Sequence, residues 1–141
     1  MAWVIDTNII VFCLRGKSPA ATRRLHAVPA GEVFVPSQVL AELLLGAAKS
    51  AKPGENRAAV ESFVAPFTLL WPTLETVERY VSIRAHLERK GTIIGEADFW
   101  IAAAALTQGA ILVTNNVDEF SRVPGLAAED WTRTEVAERP T

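Results

Sequence analysis

The sequence has one cysteine and two histidines among its 141 residues. A lone thiol, Cys13, excludes an internal disulfide and suits a reducing compartment. Set in an apolar run, it reads as a buried structural thiol rather than a nucleophile. With only His26 and His86 beside it, the chain lacks the paired His and Cys ligands of zinc or iron–sulfur sites. Both histidines read as surface residues. No apolar run approaches the ~20 residues of a membrane span, and no charged segment leads into a hydrophobic one as in a secretory leader. The expectation is a soluble cytoplasmic protein with no membrane partner. A global excess of basic charge is missing as well, the net charge being −2.

What the chain does have is hydrophobicity, 50% of its residues, at a length that suits one domain with a real core. Its charge is unevenly spread. Residues 1–90 carry 11 Lys and Arg against 8 Asp and Glu, whereas residues 91–141 carry 3 against 8. That distribution fits an acidic pocket with a basic rim, and it fits equally well an accident of solvated faces.

Periodicity predicts strands alternating with helices. Strands are expected at Trp3-Val4-Ile5, Val33-Phe34-Val35, 68–71 and 110–113, with a last edge segment near Trp131. Helices are expected over 9–14, from Ser18-Pro19 to about Val28, from Ser37, from Pro53 to about Val64, from Thr73 to Gly91 and over 96–106. In the helix after Thr73, the residues Leu74, Val77, Val81 and Ala85 form the apolar face. Such alternation indicates an α/β fold of three layers, α/β/α, around a central and mainly parallel sheet. The domain is expected to occupy residues 1–131, with 132–141 a frayed tail.

Against this background the carboxylates stand out. Asp6 ends the first strand and is followed by Thr7 and Asn8. An isolated buried carboxylate costs several kcal/mol, so it must be neutralised, hydrogen-bonded or metal-bound. Capping of the next helix explains Asp6 equally well. Asp98 opens a helix in which Phe99 through Leu106 are all apolar, so that helix should be buried and its first-turn charge needs a partner. A solvent-facing Asp in a first helical turn is the plainer alternative. Glu42 lies at the polar edge of its helix, where a solvated glutamate is ordinary, although Leu43-Leu44-Leu45 follow it. Thr114-Asn115-Asn116 leaves its strand as Asp6-Thr7-Asn8 leaves the first, at the carboxyl ends where open α/β sheets build their sites. Asp118 and Glu119 follow within a turn. Crowded carboxylates repel unless a cation relieves them, and oxygen-only donors select Mg²⁺, with Mn²⁺ as a substitute. Held that way, a cation is equipment for phosphodiester hydrolysis.

These motifs together resemble the PIN-domain nucleases: Asp6-Thr7-Asn8, Glu42, and Asp98-Phe-Trp-Ile-Ala-Ala-Ala-Ala-Leu106 in order. The stretch from Leu112 to Asn116, then 119–126 and Glu129-Asp130-Trp131, is similar to the VapC toxins of bacterial toxin–antitoxin pairs. The resemblance implies a Mg²⁺-dependent endoribonuclease that cuts structured RNA, often tRNA and in one subgroup initiator tRNA. It also implies a cognate VapB-type antitoxin and a homodimer. It assigns Asp6, Glu42, Asp98 and Glu119 to catalysis, with Asp6, Asp98, Glu119 and the Asn116 amide as metal ligands. Asn116 stands where other members carry Asp. Thr7, Asn8 and Thr114 become supporting residues, and Arg15 and Lys17 the contacts to the RNA backbone. The sequence also allows two other readings. A catalytically weak PIN-like module that binds RNA or protein is one, and an aspartyl-phosphate phosphohydrolase with Asp6 as nucleophile is the other. The second wants an Asp at position 8, where this chain has Asn.

Overall fold

The computed structural model describes residues 1–133. Five short strands form one sheet, β1 (Trp3–Ile5), β2 (Val33–Pro36), β3 (Thr68–Leu70), β4 (Ile111–Val113) and β5 (Ala128–Glu129). Their order is β3-β2-β1-β4-β5 and every pairing is parallel. Parallel strands need crossovers, supplied here by α1 (Thr7–Leu14), α2 (Pro19–Ala27), α3 (Ser37–Ala48), α4 (Pro53–Val64), α5 (Leu74–Lys90), α6 (Glu96–Gln108) and α7 (Val117–Phe120). Helices on both faces bury the sheet, and the expected α/β/α layering is what forms. Among the described residues no helix is long and apolar enough to cross a membrane.

The chain builds β1, β2 and β3 outward in one direction, then returns to place β4 on the other side of β1. The sheet therefore switches direction between β1 and β4, where ligands bind in open α/β sheets. Register matters here: Ile5 pairs with Val113, so the two strands end level. The next residues, Asp6 and Thr114, leave the sheet side by side. Behind them α6 lies close to the sheet, because its packed face is built of alanines. Ala102, Ala103 and Ala105 are fully buried together with Ile101.

Local signals set the element ends. Ser18 caps α2 through its side chain, with Pro19 at the first helical position. Thr73 and Thr76 form a capping box at the start of α5, and Gly91 ends that helix with φ of 68°.

The expected apolar face of α5 is a correction. Leu74 is 78% exposed and Val81 54%, and Val77 is exposed as well. The buried stripe is Thr76, Ile83 and Leu87, with Tyr80 half-buried between them. Two stripes compete on this helix, and the one with the larger ring faces α6. There Tyr80 stacks on Trp100 at 4.2 Å and meets Phe99 edge-on. Cys13 is half-buried, and burial pushes its thiol pKa up. Of the expected frayed tail, Thr132 and Arg133 are described and residues 134–141 lie outside the described residues.

Candidate active site

Asp6 is both a cap and a member of a cluster. It is 6% exposed. One carboxylate oxygen accepts the Thr7 backbone N–H at 2.7 Å, which caps α1, and the other accepts the Thr114 hydroxyl at 2.8 Å. The Thr114 hydroxyl in turn accepts the Asn116 backbone N–H at 3.0 Å, so the exits of β1 and β4 are tied through one buried hydroxyl. Burial raises the pKa of Asp6, the two hydrogen bonds oppose the rise, and the charges of Glu42 and Glu119 add to it. Thr114→Val removes a bond to the charged form, so the Asp6 pKa is expected to rise further. Carboxyl titration by NMR checks this, and an unchanged midpoint contradicts it.

Asp98 occupies the first turn of α6, half-buried. Its pKa is pushed up to about 7, first by burial and then by the charges of Asp6, Glu119 and Glu42. Of the four carboxylates it alone accepts no hydrogen bond among the described residues. A Cβ on Gly95 would meet its carboxylate at 3.3 Å, so a small residue at that position gives Asp98 its room.

Glu42 and Glu119 border the cluster from opposite sides. Glu42 is exposed on α3 and accepts the Thr7 hydroxyl at 2.6 Å. Glu119 accepts the backbone N–H of Gly95 at 3.3 Å and a short hydrogen bond from the Asn116 side-chain amide. Phe120, buried beside it, anchors the α7 turn in the core and leaves Glu119 at the site.

Asp6, Glu119 and Glu42 thus all lie near enough to Asp98 for their charges to act on it. The side-chain nitrogen of Asn116 is turned to Glu119. Thr7 and Thr114 act as hydrogen-bonding supports, whereas Asn8 is exposed and bonds to none of these groups. Arg15 is exposed on a groove of about 240 Å³ that Glu42 also lines, and Lys17 is exposed just beyond it. Asp118 points to solvent. His26 is exposed as expected and His86 is partly covered.

Burial and neighbouring negative charge raise the proton affinity of Asp6 and Asp98, and carboxylates crowded in this way suit a hard divalent cation. Among the described residues, no three His, Cys, Asp or Glu side chains are placed to hold a metal ion together. Asp6, Glu42 and Glu119 all accept internal hydrogen bonds, so Asp98 is the carboxylate most open to a cation, with buried Asp6 beside it.

The sheet order, the switch-point location and the acidic cluster define a nuclease-like α/β domain. A model of the PIN domain matches residues 3–126, and the chain belongs to the PIN-domain family. Within it the similarity is to VapC ribonucleases. The chain is 39% identical over 132 residues to the tRNA(fMet)-specific endonuclease VapC of Shigella flexneri, covering 94% of this chain and 99% of that one. It is 37% identical over 131 residues to ribonuclease VapC2 of Haemophilus influenzae, covering 93% and 98%. Among solved structures it is similar to DNA-bound VapBC from Salmonella typhimurium, with a TM-score of 0.88, 36% identity and coverage of 93% and 98%. VapBC2 from Rickettsia felis bound to a promoter fragment gives a TM-score of 0.87, 33% identity and coverage of 93% and 99%.

Proposed function

We propose that this chain is the toxin of a VapBC pair, a Mg²⁺-dependent endoribonuclease that hydrolyses phosphodiester bonds in structured RNA, with tRNA as the substrate class. The observation that carries the reading is the meeting of Asp6 and Asp98 at the switch point, with Glu42 and Glu119 around them. A bound divalent cation supplies positive charge against the phosphate and acidifies water. Asp6 and Asp98 would hold it, with Mn²⁺ able to replace Mg²⁺. Asp6 is preset for that role by its two hydrogen bonds, so little order is lost on binding. Glu119, which accepts the Gly95 N–H and the Asn116 side-chain amide, would add a further oxygen donor. Glu42, steadied by Thr7, orients water at the edge of the site. Arg15 and Lys17 contact RNA phosphates, which makes binding weaken as salt rises.

Two relatives, from Shigella flexneri and Salmonella typhimurium, carry the name tRNA(fMet)-specific endonuclease. This supports initiator tRNA as the first substrate to test. The purified chain, given total tRNA and Mg²⁺, is expected to release fragments whose 5′ ends map to one position in initiator tRNA. Intact tRNA after incubation with active, metal-loaded protein contradicts the reading.

The solved relatives are VapBC complexes, which supports a VapB-type antitoxin as partner. A fitting seat is the groove between α1, α3 and α4, with an apolar floor of Val11, Leu14, Leu43 and Val60 and with Glu42 on its wall. Homodimerisation, expected from the family resemblance, has a candidate surface in Trp71, Leu74, Val77 and Val81, all exposed. Such a pair acts in the cytoplasm, where its RNA substrate is.

A further inference from the structure

Asp98 is carried by a helix that begins without a cap. Gly95, the N-cap of α6, offers no side chain, and no side-chain hydrogen bond closes the first turn. An N-terminus without a side-chain cap leaves the backbone N–H groups of its first turn without side-chain partners. Yet this turn must hold Asp98 against the charges of Asp6, Glu119 and Glu42.

Its neighbours do the fastening. Glu96, the first residue of α6, accepts the Tyr80 hydroxyl at 2.7 Å and an Arg84 guanidinium N–H at 2.7 Å. Arg84 also donates to the Tyr80 oxygen at 2.7 Å and, through Nε, to Glu88 at 3.0 Å. The guanidinium lies 5.3 Å from the Phe99 ring, and Tyr80 stacks on Trp100, so both donors are oriented by residues of α6 itself. On the other flank, Arg122 donates to the Ile93 carbonyl at 3.1 Å, and Glu119 takes the Gly95 N–H.

We propose that Tyr80 and Arg84, by holding Glu96, fasten the uncapped first turn of α6 to α5 and so position Asp98 for the cation. Glu96 is thus a positioning residue and not a ligand. The part about the cation rests on the proposed metal site. An ordinary surface ion pair contributes little to global stability. The cluster should therefore show in the order of one turn and in cation affinity, with little change in Tm.

The test uses the full chain as wild type, Glu96→Ala, Glu96→Gln and Tyr80→Phe. Hydrogen exchange of amides 95 and 99, the bonded ones at this turn, and Mg²⁺ calorimetry are measured on each. Glu96→Ala is expected to speed exchange in that turn and to weaken Mg²⁺ binding, each by about tenfold. Exchange in the central strands and Tm should stay near wild type. Glu96→Gln keeps an oxygen acceptor for Tyr80 and Arg84 and should restore most of both properties, while Tyr80→Phe should fall between. Wild-type exchange at 95 and 99 in Glu96→Ala overturns the proposal, as does faster exchange spread evenly over the chain. A wild-type chain that binds no Mg²⁺ overturns the metal reading instead, and the exchange measurement then decides the role of the cluster.

Discussion

Asp98→Asn is expected to abolish RNA cleavage and, at the same time, to stabilise the metal-free protein above neutral pH. The two effects have one cause. The folded protein holds the Asp98 carboxyl at a pKa of about 7 against an ordinary 3.8, because burial and three neighbouring carboxylates disfavour its charge. Below the ordinary value, folded and unfolded chains are both protonated there, and the site costs nothing. Between that value and about 7 the unfolded chain has released its proton and the folded one has not. Stability therefore falls as pH rises through this window and stays reduced above it. Asparagine cannot ionise, so the variant escapes the loss at pH 8 and gains nothing from that source near pH 3. Catalysis moves the other way. Residues that merely support a metal ligand are worth 10–100-fold in activity, so losing the ligand should cost at least about 100-fold. Thermal unfolding in EDTA from pH 3 to 8, beside cleavage assays in Mg²⁺, checks both halves. A variant that is less stable than wild type at pH 8, or that cuts RNA at the wild-type rate, contradicts this reading of Asp98.

The second large effect is a competition between protons and the cation. A cation at this site must displace the proton from Asp98, whose pKa lies near neutrality. The Mg²⁺ concentration for half-maximal cleavage should be flat above about pH 7.5. Below pH 7 it should rise by about tenfold per unit, as expected for one proton released per ion bound. Chelation with EDTA should stop cleavage at every pH, and added Mg²⁺ or Mn²⁺ should restore it. A Mg²⁺ requirement independent of pH from 5.5 to 8.5 would remove Asp98 from the set of ligands.

Much of this site is legible in the sequence, because its two main carboxylates break a strong local pattern. Asp6 ends a buried strand and Asp98 begins an all-apolar helix. In both places a charge is costly enough to need an explanation beyond local structure. The likeness of 6–8 and 114–116 also carries information, since strands paired Ile5 to Val113 must release those triplets side by side. Asp6 did not have to be either cap or site residue, because two oxygens allow both.

Other features depend on tertiary geometry that periodicity does not encode. Helix α5 has two stripes that could each face the core, and the choice is made by the fit of Tyr80 against Phe99 and Trp100. Glu42 lies on the polar side of its helix, and only the fold brings Thr7 to it across 35 positions. The four-residue helix α7 is too short for a periodic signal, though the buried Phe120 after Glu119 fixes which way the carboxylate points. Nothing in the sequence singles out Glu96, because its partners Tyr80 and Arg84 come from a different helix.

The central claim is that Asp6 belongs to a cluster that binds a divalent cation for RNA hydrolysis. Calorimetric titration of Mg²⁺ into the wild-type chain and into Asp6→Asn at pH 8 tests it most directly. Saturable binding by the wild type, lost in the variant, is the predicted result. Equal binding by both proteins, or none by the wild type, would contradict it.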